Sequence, residues 1–150
     1  MPLVYIGLGT NLGDKESNLK NAVEQLNLQA GKVLVSSTFY VSAPSGFQSE
    51  NMFLNAVVLL ETALTPLKLL KTTQNIEKYL GRKLKTTLGY EDRIIDIDIL
   101  LYDQLILNHP KLQIPHPHIT ERDFVIGPLT EIAPELVHPV TGKLISEYLK

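Results

Sequence analysis

Apolar positions along this chain fall into short continuous runs separated by helically spaced stripes. Leu3 to Leu8 is such a run, ended by Gly9-Thr10-Asn11, and predicts a buried first strand. From Asp14 to Leu28 the apolar residues Leu19, Ala22, Val23 and Leu26 recur at helical spacing, which predicts a helix. Lys32 to Tyr40, rich in Val, Ser, Thr and aromatics, predicts a second strand, and Phe53 to Glu61 a third, largely buried one. Thr65-Pro66 opens a second helix with proline in its first turn; Leu67, Leu70, Ile76 and Leu80 supply its apolar face, and Gly81 ends it. Ile94 to Tyr102 predicts a fourth strand, and the proline-punctuated remainder from Asp103 predicts short strands with one or two short helices.

Two connections stand out. Val41 to Met52, with Pro44 and Gly46, is long for a compact domain, so it is the first place to seek a substrate pocket. Arg82 to Arg93 has few apolar residues and contains Gly89, which predicts a mobile connection. The resulting β-α-β-β-α-β order resembles the split arrangement of the ferredoxin-like class. The predicted fold is therefore α+β: a ferredoxin-like sandwich, one antiparallel-rich sheet with helices packed on it, in a single domain over residues 1–150.

Composition narrows the chemistry. With 150 residues, 44% apolar and 20% charged, the chain is expected to fold alone around one core. It has no cysteine, so thiolate metal sites and cysteine nucleophiles are excluded, and the hard oxygen chemistry of magnesium becomes the default. The apolar stretch Met1 to Gly9 lacks a basic leader and reads as a core strand, and no apolar run approaches the ~20 residues of a membrane helix. A net charge of −2 offers no general attraction to nucleic acid, and the expected location is the cytoplasm. Lys78, Arg82, Lys83 and Lys85 fall close together, a local basic patch whose plainer reading is a solvated surface.

The most informative stretch is Arg93-Ile-Ile-Asp-Ile-Asp-Ile-Leu-Leu101. In a strand Asp96 and Asp98 point to one side and Ile95, Ile97 and Ile99 to the other. Like charges roughly 6 to 7 Å apart repel by ~2 to 3 kcal/mol at an effective dielectric of ~20. A divalent cation in a cleft would offset that, with oxygen ligands favouring Mg²⁺; a strand exposed on one face is the plain alternative. Gln74 and Glu77 are neighbours on the second helix and could bond a base or ribose, or simply be solvated. Pro115-His116-Pro117-His118 looks like a two-histidine site, but the prolines predict an extended backbone and no third ligand is evident, so zinc is disfavoured. A histidine and Arg122 facing a phosphate are chemically apt, because both donate to its oxygens. Gly7, Gly9 and Gly13 are spaced GxGxxxG, matching neither the dinucleotide fingerprint nor the P-loop.

Taken together, Tyr5-Ile-Gly-Leu-Gly-Thr-Asn-Leu12, Phe53-Leu-Asn55, Gln74-Asn-Ile-Glu77, Arg93-Ile-Ile-Asp-Ile-Asp98, Pro115-His116, Arg122-Asp-Phe124 and Pro128-Leu-Thr-Glu-Ile-Ala-Pro-Glu135 resemble the 6-hydroxymethyl-7,8-dihydropterin pyrophosphokinases of folate biosynthesis, in order over nearly the whole chain. The resemblance implies transfer of the β,γ-pyrophosphate of ATP to the pterin hydroxymethyl group, with release of AMP. It implies that Asp96 and Asp98 hold two Mg²⁺ ions, that Gln74, Glu77, His116 and Arg122 line the ATP site, and that Arg82 and Arg93 act on the phosphates as catalytic groups. Lys111 and Gln113 occupy further ATP-contact positions, and Ser42, Ala43, Pro44, Ser45, Phe53, Asn55 and Phe124 would form the pterin pocket. Two aromatic faces can sandwich a flat heterocycle, and an amide can both donate to and accept from its edge.

The chain departs from the family pattern at several points. Glu91-Asp92-Arg93 stands where Gly-Pro-Arg is usual, Leu84 where an arginine is common, Tyr90 near a missing tryptophan, and Pro117 in place of an aromatic. Arg82, Lys83 or Lys85 is expected to replace the missing arginine when the loop closes over ATP. The alternative reading is a non-catalytic pterin- or nucleotide-binding protein of the same fold. Oligomeric state is left open.

Overall fold

The computed structural model describes residues 1–43, 51–81 and 94–150. In chain order these form β1 (Leu3–Thr10), α1 (Lys15–Gln29), β2 (Lys32–Ser36), β3 (Tyr40–Ser42), β4 (Phe53–Glu61), α2 (Pro66–Tyr79), β5 (Asp96–Tyr102), β6 (Leu107–His109), β7 (Leu112–Ile114), α3 (Asp123–Ile132) and a 3-10 turn at Ile145–Tyr148. The main sheet runs β2-β4-β1-β5 with every pairing antiparallel, and β3 joins the same side of β4 as β2, at its other end. That is the ferredoxin-like order expected from the sequence. The β6–β7 hairpin is separate and packs against β5.

Strand alternation gives the sheet two faces of different character. Val4, Ile6, Leu8, Ala56, Val58, Leu60, Ile97 and Ile99 pack with Leu19, Ala22 and Leu26 of α1 and with Leu69 and Ile76 of α2. The opposite face carries Val57, Leu100 and Leu101, covered by Val125, Ile126 and Leu129 of α3 and by Ile119 and Ile145. The second cover is shorter than the first. It leaves the end of the sheet carrying Gly7, Gly9, Asn55, Asp96 and Asp98 lining a cleft.

The ends of the helices follow from local chemistry. Asp14 caps α1 by accepting from the Ser17 amide at 3.2 Å. Pro66 begins α2, and Gly81, at φ +104°, occupies a left-handed turn just past its end.

Two expectations need correction. The predicted second strand, Lys32 to Tyr40, is broken into β2 and β3. At the break the Ser37 hydroxyl accepts from the Val57 amide at 2.9 Å, so a side chain supplies a bond of the ladder as the backbone turns away. The buried face of α2 is Leu69, Thr73, Ile76 and Glu77, and Leu67 is 41% exposed rather than part of the stripe. No described helix is long and apolar enough to cross a membrane.

Candidate active site

A cleft opens where β1, β4 and β5 run out from under α3. Asp96 lies opposite Gly9 and Asp98 opposite Gly7 across the β1–β5 ladder, while Asn55 and Val57 flank the same two glycines from β4. The floor is thus a central strand without side chains, bordered by an acidic strand on one side and an amide on the other. Phe53 and Phe124 contribute aromatic walls, and Ser42 and Ala43 extend the β4 side. His116 and Arg122 complete the acidic side, with Val57, Leu100, Ile119 and Val125 making the deeper part apolar.

Asn55 is oriented by its neighbours. Its Nδ2 donates to the Ser42 hydroxyl at 2.8 Å and to the Tyr40 carbonyl at 3.1 Å. Both amide hydrogens are therefore engaged, and Oδ1 remains to accept from a ligand. The sequence reading gave this amide both roles; the geometry assigns it acceptance alone. A Cβ on Gly9 would lie 3.2 Å from that same Oδ1.

His116 is built into the cleft by backbone and side chain. Its amide donates to the Leu100 carbonyl at 2.9 Å, and its Nδ1 accepts from the His118 amide at 3.1 Å. An accepting Nδ1 leaves the proton of the neutral ring on Nε2. Burial, and then the charges of Arg122 and His118, push its pKa down to about 4 against the opposing pull of Asp96. His116 is consequently a neutral donor at pH 7. The histidine segment is not the extended backbone expected from its prolines: Ile119 N donates to His116 O and Glu121 N to His118 O, which curls it into successive turns before α3. His118 is exposed and bonds Glu121. Arg122 stands 5.8 Å from the Phe124 ring centre, within cation–π range.

The low pKa of His116 has a testable consequence for stability. Because the folded value lies below that of the free side chain, the unfolded chain binds the proton first as pH falls from 6.5 toward 4. In the metal-free protein this group's stabilising contribution is present above pH 6.5 and declines through that window. His138, whose pKa burial also lowers, acts with the same sign. Urea midpoints measured from pH 7 to 4 should fall less steeply in His116→Asn than in the unsubstituted chain, and equal slopes would contradict the assignment.

Glu77 is only 7% exposed and accepts from the Ile97 amide at 2.8 Å. It reaches from α2 to the outer edge of β5 and satisfies a ladder donor midway between the two aspartates in sequence. Gln74, one turn earlier, is exposed, so the expected shared face divides into one buried and one solvated side chain. Lys111 and Gln113 lie exposed on the β6–β7 hairpin, and neither they nor Gln74 line the cleft. Pro44, Ser45, Arg82, Lys83, Leu84, Lys85, Gly89, Tyr90, Glu91, Asp92 and Arg93 fall outside the described residues.

Gly7 and Gly9 were missed as site residues because their spacing was compared only with phosphate loops. Two glycines two apart within a strand share a face, and their place in β1 was the usable signal.

The sequence profile for 7,8-dihydro-6-hydroxymethylpterin-pyrophosphokinase matches residues 5–134. The chain belongs to this family. A 2-amino-4-hydroxy-6-hydroxymethyldihydropteridine pyrophosphokinase of Porphyromonas gingivalis is 48% identical over 141 residues, covering 93% of this chain and 95% of that protein. The enzyme of the same name from Aquifex aeolicus is 41% identical and covers 99% and 91%. The folic acid synthesis protein fol1 of Pneumocystis carinii is 44% identical over 98% of this chain, which spans 20% of that longer protein. In three dimensions the chain superposes on the Plasmodium falciparum HPPK-DHPS protein with a TM-score of 0.77 at 16% identity, covering 98% of this chain and 42% of that one. At that identity the likeness concerns the fold.

Magnesium suits the residues present in this pyrophosphokinase-family cleft. Two carboxylates on one strand face offer hard oxygen ligands, and no group of three acidic or histidine ligands occurs among the described residues. Such a set leaves coordination positions for water and phosphate oxygens, as Mg²⁺ prefers.

Proposed function

We propose that the cleft is where this pyrophosphokinase of folate biosynthesis moves the β,γ-pyrophosphate of ATP onto 6-hydroxymethyl-7,8-dihydropterin. One observation carries the reading: a single cavity gathers aromatic walls, an acceptor amide and the paired carboxylates from three separate stretches of chain. The pterin ring fits between Phe53 and Phe124, with Asn55 Oδ1 accepting from a ring-edge N–H and Ser42 and Ala43 beside it. Pro44 and Ser45 are assigned to the same pocket through the family pattern.

On the acidic side, Asp96 and Asp98 would hold Mg²⁺, two ions by family resemblance, which when bound neutralise phosphate charge. The neutral His116 Nε2–H and the Arg122 guanidinium donate to phosphate oxygens, the latter in bidentate fashion. The remainder of ATP extends past the outer edge of β5 toward α2 and the β6–β7 hairpin, which both contact that strand and carry Gln74, Glu77, Lys111 and Gln113. Arg82 and Arg93 complete the phosphate contacts as catalytic groups, with Arg82, Lys83 or Lys85 replacing the arginine missing at Leu84. In the reaction the hydroxymethyl oxygen bonds to the β-phosphorus and loses its proton. The bond from that phosphorus to the bridging oxygen breaks, and AMP leaves with the oxygen. The chain's own part is positioning: two rings and one amide fix the pterin, and cationic and neutral donors fix the phosphates in line with it.

The reading further places the protein in the cytoplasm as a single domain. AMP release from ATP with Mg²⁺, with and without the pterin, tests the reaction. Pterin-dependent AMP is expected; tight Mg²⁺-dependent ATP binding without AMP would instead favour the non-catalytic binding protein.

A further inference from the structure

The β3 side of the cleft is fastened to α3 through one carboxylate. Glu131 Oε2 accepts from the Thr38 amide at 2.8 Å, and its Oε1 accepts from the Thr38 hydroxyl at 2.7 Å and the Tyr40 hydroxyl at 2.8 Å. Three donors from one short stretch thus meet a single side chain of the helix. A second contact lies one turn earlier on α3: a Cβ added to Gly127 would sit 3.1 Å from the Tyr40 ring, so the absence of a side chain there seats that ring against the helix. Phe124, three residues before Gly127, lies one further turn along the same side of the helix and lines the cleft.

The same stretch that Glu131 holds also orients Asn55. The Tyr40 carbonyl and the Ser42 hydroxyl are the two acceptors of the Asn55 amide. Helix α3 and strand β3 therefore carry opposite parts of the pterin side, Phe124 on one and the supports of Asn55 on the other. We infer that Glu131 is a positioning residue for the pterin side: by clamping β3 to α3 it fixes the stretch that orients the Asn55 amide relative to the helix that carries Phe124. This rests on reading the cleft as the pterin site.

Glu131 is exposed and does not line the cleft, so it acts through Thr38 and Tyr40. Hydrogen bonds from the Thr38 hydroxyl and amide lower the Glu131 pKa, which keeps the carboxylate charged and accepting at neutral pH. Asp96, Asp98 and His116 stand on β5 and the turn that follows β7, whereas the hydrogen bonds of Glu131 among the described residues go to Thr38 and Tyr40. The effect should accordingly be confined to one substrate.

The test compares the unsubstituted chain with Glu131→Ala, Glu131→Gln and Tyr40→Phe. Calorimetry would read pterin binding in the presence of Mg²⁺ and a non-hydrolysable ATP analogue, and separately the binding of that analogue. Loss of charged hydrogen bonds in Glu131→Ala should raise the pterin Kd by about tenfold with the analogue Kd unchanged. Glu131→Gln keeps one accepting oxygen and Tyr40→Phe removes one donor without removing the ring, so both should fall between the unsubstituted chain and the alanine variant. If the alanine variant does not fold, the other two still decide the matter. Equal weakening of both ligands, or unchanged pterin binding in all the variants that fold, overturns the clamp. An unsubstituted chain that binds the analogue but no pterin overturns the reading of the cleft itself.

Discussion

Asp96→Ala and Asp98→Ala should each lower pterin-dependent AMP release by about 10²–10³-fold, the usual loss when a group stabilising transition-state charge is removed. Both carboxylates belong to one face of β5, opposite Gly9 and Gly7, so neither is replaced by a neighbour on β1. The isosteric Asp98→Asn should lose nearly as much, because shape is retained and charge is not. A variant that retains more than a tenth of the unsubstituted rate under saturating Mg²⁺ would exclude its aspartate from the phosphate chemistry.

Gly9→Val should weaken pterin binding by about 150-fold or more while sparing the fold. Even the first atom of a side chain would stand 3.2 Å from Asn55 Oδ1 and 3.7 Å from the Phe53 ring, and the valine methyls would occupy the floor of the cleft. Forcing extra carbons into a fitted space costs about 1–3 kcal/mol, which corresponds to roughly 5- to 150-fold in affinity. Gly9→Ala should lie near the bottom of that range and Gly9→Val near or above the top. Valine suits a strand better than glycine, so a lowered melting temperature would not be the explanation. Titrating pterin against each variant with an ATP analogue present measures the effect, and unchanged affinity in Gly9→Val would mean the ring does not lie over β1.

Much of this architecture is legible because burial leaves a period in the sequence. Phe53 to Glu61 is apolar on both faces and is a strand over those same residues, and the proline and glycine that bracket α2 mark its ends. Asp96 and Asp98 are readable for the same reason, since a period of two puts them together wherever the strand lies. What sequence reasoning lost are contacts between residues far apart in the chain. The break at Ser37 lies inside an uncharged stretch of high strand preference, and what marks it is a hydroxyl bonded to Val57 and a carboxylate 93 residues away on Thr38. Glu77 is likewise indistinguishable from Gln74 by spacing alone. A rotation of about 60° around the helix axis separates a side chain against β5 from one in solvent.

The ladder between β1 and β5 contains one irregularity: Tyr5 pairs with Leu101 and Ile6 with Ile99, so Leu100 is an extra residue. Leu100 and Leu101 both face the α3 side, after which Tyr102 returns to the helix-covered side and bonds the Leu64 carbonyl at 2.7 Å. Removing one residue from a strand ordinarily turns every later side chain to the wrong face. Here, deleting Leu100 would leave Asp96, Asp98 and Leu101 on one face and Ile97, Ile99 and Tyr102 on the other, in perfect alternation. Leu100 instead supplies two things at one point of the strand: a side chain to the apolar depth of the cleft, and the carbonyl that tethers the histidine turn to the acidic strand.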